Sequence, residues 1–300
     1  MSTLATNAIT DASGGNTATI NSYTPTVSNM AGRNWLINGA FTVSQRGDYS
    51  TATVVSNATY YLDRWIAVTS VAGTIQRTTN MPTGTYGYSL KMAATASATA
   101  QLTSEQRIEV FEWMKGKTVI VSAMVRSNSA LCSINMYNNI DGFGTPVNHA
   151  GDGTWQRITF TTTIPTGALT DLRVRVGLTQ GGNTTVVSGD YFEAAEVQLE
   201  VGSVAAPFEH RQYGQELALC QRYYQELSAV VGTSNFQYVS QPAFPVSMRT
   251  TPTIGTIVFD TGTGATFANI SGNSANQRVY QQAAHSSIAT ANKIPLSAEL

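Results

Sequence analysis

The sequence predicts a mainly β protein: an antiparallel β-sandwich, with an extended N-terminal arm before it and one short helix and a small C-terminal β-unit after it. Three observations carry this. Several segments alternate with period two, most strictly Leu172-Arg-Val-Arg-Val-Gly-Leu178, where Leu172, Val174, Val176 and Leu178 share one face and Arg173 and Arg175 the other. Gly, Pro and Asn turns recur about every ten residues, the rhythm of an antiparallel sandwich. The chain is 42% hydrophobic but only 12% charged, against roughly 25% charged in ordinary soluble domains. Thr, Ser, Asn, Gln and Gly must therefore cover much of the surface, as in extracellular β-proteins and assembled particles.

Residues 1–33 are rich in Thr, Ser, Asn and Gly and almost uncharged. Asp11-Ala-Ser-Gly-Gly-Asn16 reads as a turn between two extended pieces, Leu4–Thr10 and Thr17–Tyr23. Such an arm cannot bury enough apolar surface to order itself. Two readings stay open: a flexible tail, or a docking arm that orders against a partner.

Residues 34–210 read as many short strands. Thr118-Val-Ile-Val-Ser-Ala-Met-Val-Arg126 is β-rich and bounded by Gly116 and Ser127-Asn128. Trp155–Ile164 alternates after a one-residue slip at Ile158. Trp35, Trp65 and Trp113 are assigned to the core, and Asp63-Arg64 to a buried ion pair bracing the sandwich. In residues 211–228, Tyr213, Leu217, Cys220, Tyr224 and Leu227 form an apolar seam of period 3.5. A seam of about two heptads fits either one helix packed on its own sandwich or a short bundle about a threefold axis. Residues 229–300 turn β again. Pro245 and Pro252 belong at edges or strand starts, and Thr256-Ile-Val-Phe-Asp260 is the clearest strand, followed by a turn at Thr261–Gly264.

The net charge of −1 excludes the basic stripe of a duplex nucleic-acid binder and a polybasic membrane anchor. No apolar run reaches the roughly 20 residues that span a bilayer, and the N-terminus lacks the pattern of a secretory signal. Synthesis in a cytosol, with release by another route such as lysis, is the expectation. Cys132 and Cys220 lie in segments of different character and read as packed thiols. His149, His210 and His285 are scattered, with no zinc spacing.

The opening Gly32-Arg-Asn-Trp-Leu-Ile-Asn-Gly-Ala-Phe-Thr-Val-Ser-Gln-Arg-Gly47, with Leu62-Asp-Arg-Trp65, resembles the start of jelly-roll modules of bacteriophage tail fibres and other virion appendages. Gly189-Asp-Tyr-Phe-Glu-Ala-Ala-Glu-Val-Gln-Leu-Glu-Val-Gly202 and Pro207-Phe-Glu-His-Arg211 resemble their close. The Gly-Gly-Asn-Thr opening followed by Thr-Pro-Thr is similar to cyanophage-like structural proteins. The helix followed by Phe244-Pro-Val-Ser-Met-Arg-Thr-Thr-Pro252 resembles C-terminal segments of phage fibres. The resemblance covers nearly the whole chain. It implies a virion component made in the host cytoplasm, attached to other virion proteins through residues 1–33, homotrimeric, and recognising a host cell-surface glycan without membrane insertion. These modules are themselves similar to carbohydrate-binding modules.

No spacing among the carboxylates, from Asp63 and Glu105 to Asp171 and Glu200, selects the pair a glycosidase needs, and there is no GxSxG elbow. No catalytic residue and no enzyme activity is expected. Asp190, Glu193 and Glu196 allow a structural calcium, since hard cations take clustered oxygens; ordinary solvated or paired acids are the alternative. Carbohydrate-binding jelly rolls often carry such an ion near their chain ends, which makes Asp63 and Glu196 its candidate ligands. No other cofactor is expected. Sugar binding calls for rings that stack on pyranose faces beside amides and hydroxyls. The candidates are Tyr86 and Tyr88, and the segment containing Tyr137, Asn138, Asn139, Asp141 and Phe143. Each ring taken singly can equally be a packing residue or an intersubunit contact. Two functions remain: a trimeric phage appendage, either a receptor-binding tail fibre or a head fibre, capsid decoration or connector without receptor binding, or a soluble carbohydrate-binding or degrading protein that works alone.

Overall fold

The computed structural model describes residues 32–109, 112–178, 185–231, 244–255, 258–261, 267–271, 278–281 and 289–300. The expected arm up to residue 31 and the turn after Thr261 lie outside the described residues. The sandwich strands are β1 (Thr53–Val54), β2 (Thr59–Tyr60), β3 (Ile66–Thr69), β4 (Gly73–Thr78), β5 (Ser89–Ala94), β6 (Ala98–Thr99), β7 (Leu102–Arg107) and β8 (Thr118–Ser127). They continue as β9 (Cys132–Asn138), β10 (Gly142–Phe143), β11 (Val147–Asn148), β12 (Trp155–Thr163), β13 (Leu172–Leu178), β14 (Thr185–Val186) and β15 (Tyr191–Val201).

Two antiparallel sheets face each other. One runs β1-β4-β5-β15-β8-β12; the other runs β10-β9-β13-β7-β3-β2, with β11 also on β9. The expected alternation is what builds the core. Val119, Val121, Ala123 and Val125 of β8 and Leu172, Val174, Val176 and Leu178 of β13 are buried in one cluster. Burying a Val or Leu contributes about 1.5–3 kcal/mol relative to leaving it exposed, so alternation fixes which face turns inward. β12 is the edge strand beside β8. Its Trp155 is only half-buried, while Ile158 and Phe160 enter the core.

β15 changes parity midway. Phe192 and Ala194 point inward before a β-bulge between Ala195 and Gln198, and Val197 and Leu199 point inward after it. One extra residue exchanges the faces of everything downstream. Glu196, at the bulge, takes φ 51°. The bulge is where the opening segment docks. Val197 N donates to Gly39 O at 2.9 Å, Trp35 N donates to Leu199 O at 3.0 Å, and Asn34 Nδ2 donates to Val197 O at 3.3 Å. The contact is so close that a Cβ on Gly39 would collide with Val197 O.

Side chains complete this junction, which we call the clasp. Glu209 accepts from Gly32 N, and from Asn34 N at 2.8 Å. Arg211 donates to Leu36 O at 2.9 Å and to Asn34 O. Asn38, fully buried, donates to Val43 O and Asp63 O. Trp65 Nε1 donates to Asn38 O at 3.0 Å. Asn38, Phe41 and Arg64 all hold positive φ here; such strain persists only where the surroundings over-determine it. The opening and closing segments singled out in the sequence are thus hydrogen-bonded to each other.

The helix α1 covers Tyr213–Gln221, shorter than the seam from Tyr213 to Leu227. Tyr224 begins β16 (Tyr224–Val231), which pairs with β21 (Ala289–Ser297) from Tyr224↔Ser297 onward. Tyr224 and Leu227 therefore sit on a strand, and the helical seam ends at Cys220. Long-range pairing decides the matter locally: Tyr223 O accepts from Ala298 N at 2.7 Å. β17 (Thr253–Ile254), which follows Pro252 directly, and β18 (Val258–Thr261) also pair with β21, and β19 (Phe267–Ser271) pairs with β20 (Arg278–Gln281).

The C-terminal unit is tied to the sandwich by buried charge. Arg64 and Arg46 share the Glu299 carboxylate. Arg64 lies 3.5 Å from the Tyr223 ring centroid and Arg46 lies 3.7 Å from that of Tyr224. Asp63 and Arg64 are both buried, as expected, but are not each other's partners. Asp63 accepts from Gln45 N at 2.7 Å and Gln45 Nε2 at 2.8 Å. Burial raises the Asp63 pKa, against those hydrogen bonds and nearby Arg46.

Candidate binding face

The face of the second sheet that points away from the core carries the strongest candidate. Register places its members. Tyr137 of β9 lies opposite Phe143 of β10 and Arg173 of β13; Arg175 of β13 lies opposite Glu105 of β7. The β9–β10 turn is built by its own asparagine. Asn138 Oδ1 accepts from Ile140 N at 2.9 Å and Asp141 N at 2.8 Å. Gly142, at φ 74°, closes this three-residue loop, as a left-handed residue does in hairpins of that length. The Tyr137 and Phe143 rings are consequently 4.8 Å apart.

Two arginines hold the rings. Arg175 lies 4.0 Å from the Phe143 centroid and Arg173 5.0 Å from that of Tyr137. Both bind Glu105, Arg175 through its other oxygen and Arg173 at 3.3 Å. Glu105 is fully buried, and a buried carboxylate needs this pairing. Arg173 also forks onto Asp171 at 2.9 and 2.8 Å, and hydrogen bonding to Asp171 raises the Arg173 pKa. Burial lowers that of Arg175, against Glu105. Gln101 Oε1 accepts from Arg175 at 3.3 Å. Phe143 remains 39% exposed. The result is a pair of partly open rings beside fixed guanidinium, amide and carboxylate groups.

Of the residues singled out in the sequence, Tyr137 and Phe143 are brought together here. Asn138 is engaged in the turn, with Asp141 beside it. Asn139 ties the turn to the next loop, accepting from Thr170 N and Asp171 N and donating to Ala168 O. Tyr86 and Tyr88 belong elsewhere, beside β5 of the other sheet. Tyr86 is exposed, and Tyr88 packs on the core under Arg77. Arg173 and Arg175 were marked only as the polar side of an alternating strand.

Asp63 and Glu196 fall in separate networks. Glu196 stands 3.6 Å from His210, and burial raises its pKa against the pull of His210 and Arg157. Among the described residues no group of three or more His, Cys, Asp or Glu side chains is placed to hold a metal. Cys132 and Cys220 are buried and free, and burial pushes the Cys132 thiol up to about 12. Of the seam residues, Tyr213 is exposed, Leu217 half-buried, and Cys220, Tyr224 and Leu227 buried.

Trp35 departs from its core assignment. It is 40% exposed, with Trp113 against it at 4.2 Å between ring centroids. It lines a cleft of about 360 Å³ between α1 and the end of β7, with Ile37, Ile108, Leu219 and Tyr223 as further walls. At its rim Glu109 accepts from the Tyr223 hydroxyl and from Arg222. Burial alone would raise the Glu109 pKa, but these two hydrogen bonds bring it below the ordinary value. The Tyr223 phenol is pushed up to about 12, by burial first, against Arg64, and further by its bond to Glu109. A second hollow, of about 330 Å³, shares Arg107, Ile108 and Glu109 with the cleft and reaches Asp171.

Fold and face together define an antiparallel β-sandwich with a ring-and-arginine face. No protein-family model and no curated protein sequence matches the chain. Among solved structures it is similar to the enzymatically active domain of tailspike protein 4 of bacteriophage CBA120, at 13% identity and TM-score 0.38, covering 56% of this chain and 21% of that one. It is similar to a putative sugar-binding protein from Bacteroides thetaiotaomicron, at 14% identity and TM-score 0.35, covering 57% of this chain and all of that one. It is similar also to the carbohydrate-binding module TmCBM61, solved with β-1,4-galactotriose, at 15% identity and TM-score 0.33, covering 57% and 99%. The chain spans about a fifth of the tailspike chain and nearly the whole of the two sugar-binding ones.

Proposed function

We propose that this chain is a bacteriophage virion protein, a trimeric tail fibre, that binds a host-surface glycan through the outer face of its second sheet. The observation that carries the binding role is the Tyr137–Phe143 ring pair, fixed by Arg173 and Arg175 and still partly open. Rings of this kind stack on the apolar faces of sugars, and guanidinium and amide groups answer the hydroxyls. The virion assignment rests on the resemblance of the opening, closing and C-terminal motifs to phage appendages.

The role is binding without turnover. A glycosidase needs two carboxyl groups free to face one bond; Glu105 and Asp171 are both clamped by arginine. In this reading residues 1–33 dock the chain onto the particle, and particles should lack a chain without residues 1–30. Sedimentation of the intact protein should give about three times the chain mass; a monomer refutes the trimer. For the face itself, Tyr137→Ala with Phe143→Ala should cut adsorption to host cells by about tenfold or more without lowering the melting temperature. Unchanged adsorption removes the site from this face.

A further inference from the structure

We infer that the ligand is an uncharged, chain-like glycan, with one end on the Tyr137–Phe143 face and its far residues in the cleft beside Trp35. This rests on the proposed role of the face. The cleft has the volume of a small-ligand site, about 360 Å³, and sets apolar and aromatic walls against a larger polar set that includes Arg64, Arg107, Arg211 and Arg222. Trp35 offers a stacking surface, 40% exposed and braced by Trp113.

Face and cleft are neighbours on the same side of the sheet. The hollow that reaches Asp171 shares Arg107, Ile108 and Glu109 with the cleft. Asp171 holds Arg173, whose guanidinium lies over Tyr137. Tyr137, Arg173 and Arg107 stand opposite one another on adjacent strands, so two strand spacings, about 10 Å, separate Tyr137 from the near edge of the cleft. A ligand touching both ends is longer than one sugar ring.

The charge along the path selects among glycans. Arg173 is matched by Asp171 and Glu105, Arg175 by Glu105, Arg222 by Glu109, Arg211 by Glu216 and Glu209, and Arg64 by Glu299, while Arg107 donates to Leu300 O. Guanidiniums already paired to carboxylates present hydrogen-bond donors with little net field. They suit hydroxyls better than a row of sulfates or carboxylates.

The experiment measures affinity of the full chain for neutral oligosaccharides of increasing length, taken from the best-bound member of a defined glycan panel. Affinity should rise by about tenfold once the chain is long enough to pass from face to cleft, and then level off. Trp35→Ala should keep the affinity for short members and lose the rise. Gln215→Trp, which fills the cleft from an exposed position on α1, should do the same and guards against a folding defect in the first variant. Equal affinity for short and long members, or an undiminished rise in both variants, overturns the inference. So does a rise that appears only after residues 1–30 are removed, which would assign the cleft to the chain's own leading segment. A roughly tenfold weakening between about 50 and about 500 mM salt would indicate a polyanion and overturn the uncharged assignment. If Tyr137→Ala with Phe143→Ala abolishes binding while length has no effect, only the two-ended path falls. If no glycan binds, the proposed function falls with it.

Discussion

The buried tie of the C-terminal unit to the sandwich and the binding face are made from the same parts, two arginines sharing one carboxylate, each arginine laid over an aromatic ring. At the tie, Arg64 and Arg46 share Glu299 and cover Tyr223 and Tyr224. On the face, Arg175 and Arg173 share Glu105 and cover Phe143 and Tyr137. The surroundings differ. The Arg64 side chain is 1% exposed and its ring partner Tyr223 helps join the C-terminal unit to the sandwich; Phe143 is 39% exposed. Enclosed, the arrangement holds distant parts of one chain together. Left open at a sheet edge, it presents fixed rings and donors to something else.

The largest expected effect lies at the C-terminal tie. Arg64→Ala leaves Glu299 buried with Arg46 alone, and should cost about 3–5 kcal/mol of stability in denaturant titration, the usual penalty for breaking a buried pair. A cost under about 1 kcal/mol would erase the distinction between the two regions. Glu105→Gln comes next. The amide still accepts a hydrogen bond but no longer balances two guanidiniums, so stability should fall by about 1–3 kcal/mol, and ligand binding should fall with it as the rings lose their bracing. A loss as large as that of Arg64→Ala would make the face scaffolding as well.

The smallest effect is in pH. The Glu109 pKa is lowered in the fold from its ordinary 4.5, so its contribution is present above that value and is lost as pH falls through the lowered one. The Asp63 pKa is raised from 3.8. Its sign is opposite: the fold favours the protonated acid, and stability declines as pH rises from 3.8 through the raised value. Comparing melting temperature against pH for Glu109→Gln and Asp63→Asn should remove slopes of opposite direction. Slopes of the same sign would contradict this account of the two sites.

Much of this was legible in the sequence where the information is local. Alternation in Leu172–Leu178 gave the inward face correctly and Thr118–Arg126 was legible as a strand, while Tyr137 and Phe143 were legible as rings of one segment but not as partners across a hairpin. The partners of Arg173 and Arg175 were not legible. Alternation says they point away from the core, but that Glu105 stands between them follows from β7 lying beside β13, a pairing across some seventy positions that neither strand encodes alone. The helix was overextended for a related reason. Tyr224 and Leu227 fit a period of 3.5 and fit a strand equally well, and β21 decides between them. Trp35 was misplaced because its type suits a core while its position is at a junction. The parity change in β15 hides in Glu196-Val-Gln198, which no residue type marks as a bulge.

The clasp also has a mechanical consequence. Residue 32 lies beside residue 209 and residue 39 beside residue 197, so the opening and closing segments run in opposite directions. Tension applied before residue 32 and after residue 211 would draw two neighbouring ends apart. Contacts in that geometry are loaded one after another, as in peeling, rather than all at once, as in shear. Glu209, which grips Gly32 and Asn34, and Arg211, which grips Asn34 and Leu36, meet the load first. Force-ramp unfolding of Glu209→Ala should begin at a lower force than that of the unaltered chain, and an unchanged threshold would place the resistance elsewhere. For a protein strung along a line of pull, two side chains at the mouth of the sandwich would then set the force at which it opens, while the sheets behind them bear almost none of it.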